Sequence, residues 1–133
     1  MNRFYNKLAS LLVLTAMATF LTSCDPTTSY PETPMEVAEK HMKAAINKDA
    51  NAVKKFSSKK QAKFIKENED NFRIAMEMWY KGRYVKSAEY EQLNDKSAVV
   101  IVYLGLKGGP TMQQVVILIK ENGLWKVDDL KAF

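Results

Sequence analysis

The hydrophobic period of this chain changes once, near Gly82, and that change restricts the folds open to it. Before Gly82 apolar residues recur at threes and fours, the spacing of helices; after it come β-prone runs separated by turn residues. Thr33-Pro34-Met35-Glu36 opens the helical half with an N-cap, a Pro at the first helical position and a Glu three residues after the cap. This is a capping box, which satisfies otherwise orphaned backbone donors. Met35, Ala38, Met42, Ala45 and Ile46 then define one buried stripe. Asn47-Lys48-Asp49 closes this helix, and Asp49 caps a short second one whose inward face is Ala52, Val53 and Phe56. Ser57 or Ser58 caps a third segment with the face Ala62, Ile65, Phe72, Met76 and Trp79, which the polar run from Glu67 to Asn71 kinks or splits.

Four strands are expected beyond Gly82: Tyr84 to Gln92, Ala98 to Leu106, Met112 to Lys120 and Leu124 to Leu130. Asn94-Asp95, Lys107-Gly108-Gly109-Pro110 and Asn122-Gly123 supply the turns, and Asn-Gly is the strongest short hairpin signal of the three. Helices first and an antiparallel meander after them is the α+β pattern, with the helices on one face of the sheet. Val99 to Leu104 and Val115 to Ile119 do not alternate apolar with polar, so both faces of the central strands are apolar. The face away from the helices is thus expected to carry a patch that a second copy or another protein would cover.

The first residues follow a different logic. Arg3 and Lys7 precede an apolar stretch from Leu8 to Phe20, and Leu21-Thr22-Ser23-Cys24 follows it. A charged start, a short apolar run and small residues before a cut make an export signal. Thirteen apolar residues reach only ~20 Å as a helix, short of the ~30 Å of hydrocarbon that a membrane span must cross. The last four resemble a lipobox, in which the Cys becomes the acylated N-terminus; plain secretion would instead leave Cys24 a free thiol in an oxidising compartment. The expected division is a signal peptide over 1–23, a lipidated Cys24 with a polar tether over 24–32, and one domain over 33–133. Its place is the bacterial cell envelope, anchored in the inner or outer membrane with the domain in the periplasm.

Removing Arg3 and Lys7 lowers the formal charge from +5 to +3, too little to argue for nucleic acid as a partner. Cys24 is the single cysteine, so the domain folds without an internal disulfide.

Taken together, the lipobox, the tether, the Thr33-Pro34-Met35-Glu36-Val37 helix start, the short helix from Asp49 to Phe56 and the terminal Gly123-Leu124-Trp125-Lys126-Val127-Asp128 resemble the NTF2-like superfamily. The resemblance is to small envelope lipoproteins with a DUF4878-type domain in particular. It implies a cone of helices packed over a curved sheet with a pocket between them, in a superfamily that includes ketosteroid isomerases and many non-catalytic binding modules. Fold alone does not choose among these.

The residues argue against most chemistries. His41 is the single histidine and is expected on a partly exposed helix surface; Glu36 and Glu39 do not complete a metal set, and no cofactor is implied. No Gly-x-Ser-x-Gly elbow or Gly-rich phosphate loop is present. An isomerase-like site would need a buried carboxylate with an oxyanion donor; Asp128 or Asp129 with Tyr80, Tyr84 or Tyr103 are the candidates, and nothing in the sequence joins them. Phe72, Met76, Trp79, Tyr103 and Trp125 are the candidate lining of a pocket for a small apolar ligand, or otherwise simply core. Lys59, Lys63 and Lys66 fall on one helical face, which either rests on anionic headgroups or is merely solvated. The expected protein is a non-catalytic, lipid-anchored module that binds a small ligand or a protein partner, with an enzyme or a purely structural interaction protein as alternatives. Cys24→Ser is expected to release the protein from the membrane fraction or leave its signal uncut, read by fractionation and by mass of the mature chain; unchanged cleavage and membrane association would refute lipidation.

Overall fold

Three of the four described helices start where a side chain satisfies free backbone donors. In α1 (Pro34–Ile46) the Thr33 Oγ1 accepts from the Glu36 N–H at 3.2 Å, and in α2 (Ala50–Phe56) the Asp49 Oδ1 accepts from Ala52 at 3.1 Å. Ser58 caps α3 (Lys59–Glu67) by accepting from the Gln61 N–H at 3.3 Å. The expected third helix is split at Asn68, which ends α3, begins α4 (Glu69–Tyr80) and donates from its side chain to the Phe64 carbonyl; α4 alone starts without a side-chain cap. These elements come from a computed structural model that describes residues 29–132. The expected signal peptide over 1–23, Cys24 and the start of the expected tether lie outside the described residues. The chain divides into two units, Met1–Tyr30 and Pro31–Phe133, and the four helices among the described residues belong to the second.

Strands β1 (Arg83–Leu93), β2 (Ser97–Leu106), β3 (Met112–Glu121) and β4 (Leu124–Ala132) form an antiparallel sheet in the order β1-β2-β3-β4. Asn122 and Gly123 both take positive φ, 52° and 78°, the geometry that matches a tight hairpin to strand twist. Ala98, Val100, Val102 and Leu104 of β2 share a face with Leu118, Val116, Gln114 and Met112 of β3, and this face meets the helices. α1 lies against all four strands as well as α2 and α4. A helix so surrounded buries a wide face: Val37, Ala38, His41, Met42, Ala44 and Ala45 are inside. Met35 and Ile46, expected in the stripe, are only half-buried.

The opposite sheet face carries Val99, Ile101 and Tyr103 beside Ile117, Val115 and Gln113. Its apolar strip is confined to the two central strands, because Ser87 and Glu89 flank it on β1 and Asp129 and Lys131 flank it on β4. Ile101 is only 9% exposed in the single chain. Both edge strands are interrupted by bulges, at Lys86 and Glu91 in β1 and at Asp128 in β4. Charged bulges twist an edge away from further strand pairing.

The α2–α3 junction is bonded directly to the sheet. The Ser58 N–H donates to the Val127 carbonyl at 2.8 Å, the Lys59 N–H to Glu121 Oε1 at 3.0 Å, and Lys126 Nζ to the Lys55 carbonyl at 2.8 Å. Ser57 Oγ donates to the Val53 carbonyl at 2.6 Å, closing α2. Both serines are buried, Ser58 at 1% exposure. Ser58→Ala removes a helix cap at a buried position, and is expected to lower stability by about 1–2 kcal/mol in urea denaturation with an unchanged m-value.

Candidate functional site

A cavity of about 260 Å³ lies between α1, the α3–α4 pair and β4. It sits just below the ~300–1,000 Å³ of ordinary ligand pockets, so it suits a compact molecule. The helix break at Asn68 separates α3 from α4, whose Phe72, Met76 and Trp79 form one wall. Phe64 and Ile65 of α3 and Val127 and Leu130 of β4 add apolar surface, and His41 of α1 completes the lining with Ser57 and Gln61. A second cavity of about 630 Å³ adjoins it across Trp79 and Leu130, beside Tyr80 and Gln114. Its buried polar groups already satisfy one another: Tyr80 Oη donates to Gln114 Oε1 at 2.6 Å, and Gln114 Nε2 donates to the Lys131 carbonyl at 2.9 Å. Burial holds the Tyr80 hydroxyl protonated, its pKa pushed up to about 12.

His41 is the opposite case. Its residue type pointed to a partly exposed surface, whereas the ring is 3% exposed and its Nδ1 has no hydrogen-bond partner. Burial lowers its pKa to about 4, so at neutral pH the imidazole is uncharged. The signal was present: His41 stands four residues after Val37 and three after Ala38, on the buried stripe itself. Among the described residues the buried polar side chains are His41, Ser57, Ser58 and Gln114, and none is a carboxylate.

The expected pocket set divides into three. Phe72, Met76 and Trp79 line the cavity, but Trp79 is 62% exposed at its rim rather than within the core. Met76 and Tyr80 point inward four residues apart, which leaves Trp79 one helical step to the side. Trp125 is buried beside Lys120, whose ammonium lies 5.3 Å from the ring centroid, away from the cavity lining. Tyr103 belongs to the opposite face of the sheet, since odd-numbered residues of β2 point away from the helices; there its hydroxyl donates to Glu89, which raises its pKa. The acid–base candidates are dispersed as well. Tyr84 lies across the outer face over Gly105, Asp128 pairs with Lys60 at 3.5 Å, and Asp129 is an exposed residue at the cavity edge whose carboxylate accepts from the Leu130 N–H.

Lys59, Lys63 and Lys66 are all exposed on α3, with Phe64 62% exposed between them. Lys63 stands 4.0 Å from Glu67, and neighbouring Lys54 is 3.7 Å from Glu69, so the basic run is partly matched by acids. Surface pairs of this kind contribute little to stability. Among the described residues no three His, Cys, Asp or Glu converge on a metal position, and no helix is long and apolar enough to cross a membrane.

No family model matches the chain, and no curated protein matches it either. Solved structures share its fold. A Campylobacter jejuni protein provisionally named an NTF2-like transpeptidase is similar with a TM-score of 0.57 at 18% identity, over 73% of this chain and 98% of that one. A SEC-C motif containing protein from Rhodopseudomonas palustris is similar with a TM-score of 0.52 at 15% identity, over 81% of this chain and 84% of that one. Likeness at such identities establishes architecture alone: four helices with a four-stranded antiparallel sheet, an α+β arrangement of the NTF2-like kind.

The buried imidazole makes acid stability a direct measure of this site. Its folded pKa lies below the ordinary 6.5, so the unfolded chain takes up the proton first. Its contribution is complete above about 6.5 and is lost as the pH falls from there towards about 4, roughly 3 kcal/mol across that window. Urea denaturation of the wild type and His41→Phe at pH 7 and pH 5 should show the wild type losing more stability than the variant on acidification. Equal losses would place a solvated histidine at this position.

Proposed function

We propose that this chain is a lipid-anchored protein of the bacterial envelope, of the DUF4878 type, whose NTF2-like module binds a small apolar molecule without transforming it. One observation carries the binding reading: a cavity walled by Phe72, Met76, Val127 and Leu130 with a buried polar group that the protein leaves unpaired. An ordinary core closes on itself and pairs its polar atoms. The non-catalytic reading rests on the lining, which holds no buried carboxylate and none of Tyr80, Tyr84 or Tyr103. Membrane attachment rests on the Leu21-Thr22-Ser23-Cys24 sequence and its distance from Met1.

Binding of n-propylbenzene to the full chain in lipid nanodiscs tests the cavity. Free ligand at ten times Kd stabilises a folded state by about 1.4 kcal/mol, a rise of several degrees in Tm for a domain of this size. Leu130→Trp, which fills the space from a half-buried position, should abolish the rise and controls for partitioning into lipid. A Tm that stays constant up to the solubility limit, or a rise that Leu130→Trp leaves intact, removes this reading.

A further inference from the structure

The unpaired His41 narrows the chemistry of the occupant, on the premise that the cavity binds a small molecule. His41 is 3% exposed and is one of the residues that line the cavity. Its imidazole is thus a polar group set in a wall that is mostly apolar. A ligand hydroxyl that reaches the imidazole gains a hydrogen bond there that an apolar ligand cannot make.

We infer that the cavity selects an uncharged molecule with a compact apolar body and a single hydroxyl, such as a substituted phenol or a short alcohol, whose hydroxyl pairs with His41. A hydroxyl donates and accepts, so it fits a neutral imidazole whichever nitrogen carries the proton. An anion is disfavoured on two counts. The imidazole is neutral at physiological pH and offers no counter-charge, and Asp129, the one charged residue among the lining, is acidic. A cation is disfavoured because the interior wall is Ile65, Phe72, Met76 and Val127, with no buried carboxylate to receive it. Gln61 and Ser57 also reach the lining, but the Ser57 hydroxyl hydrogen is committed to Val53.

The test compares 4-propylphenol, 4-propyltoluene and 4-propylbenzoate, which differ in one group, for affinity to the full chain in nanodiscs at pH 7. The phenol should bind at least tenfold more tightly than the toluene, although the toluene is the more apolar, and the benzoate should bind more weakly than either. In His41→Phe the preference for the phenol should vanish while the toluene still binds; His41→Gln, which keeps a hydrogen-bonding group, should retain part of it. Equal affinity of the phenol and toluene for the wild type overturns the inference and leaves small-molecule binding standing. Preference for the benzoate, or a phenol preference unchanged in His41→Phe, overturns it likewise. Failure of all three to bind the wild type ends both readings. If His41→Phe does not fold, the wild-type comparison of phenol with toluene decides alone.

Discussion

A single backbone hydrogen bond, from the Ser58 N–H to the Val127 carbonyl at 2.8 Å, fixes where the helical layer meets the sheet. On its two sides stand the end of α2, closed by Ser57, and the start of α3, capped by Ser58. An amide so enclosed must find an acceptor, and here the acceptor belongs to an edge strand. Glu121 receives the next N–H of the same helix start, where a carboxylate also complements the helix dipole. α3 is thereby held at the rim of the sheet rather than laid flat on it. The space beneath α3 and α4 depends on this attachment.

The interior treats its polar groups in two ways. Tyr80, Gln114 and the Lys131 carbonyl form a short relay from α4 through β3 to β4 in which the donors and acceptors meet. Such a relay sets the angle of α4 across the sheet, because a shift of one residue would strand two buried groups. His41 lies across the same core without equivalent support. On the binding reading proposed above, the first is scaffold and the second a group kept for recognition. The contrast between these two kinds of burial is what that reading builds on.

Features with local causes were legible in the sequence. The caps at Thr33, Asp49 and Ser58, the Asn122-Gly123 turn and the order of elements depend on neighbouring residues, and all stand where the spacing put them. The α+β architecture followed from that order, and the resemblance to the NTF2-like superfamily agrees with the fold shared with the Campylobacter jejuni structure. What the sequence could not supply was rotation and parity. Trp79 and Tyr80 are adjacent, and only the packing of α4 decides which of them turns inward. Tyr103 reads as a pocket residue until strand pairing assigns it, by parity alone, to the other side of the sheet. His41 was readable from its spacing to Val37, but its residue type favours the surface and masks that spacing.

The bulge in β4 has a consequence of its own. Val127 pairs with Leu118 and Leu130 pairs with Val116, both inward positions of β3, although 127 and 130 differ by an odd number. In a regular strand these two side chains would point to opposite faces. Asp128, the extra residue, resets the phase so that both reach the cavity, and it turns its own carboxylate to Lys60. The floor of the cavity is thus written in two reading frames joined at one residue. A lineage could retune its breadth by gaining or losing that residue, with no change to any side chain that lines the cavity.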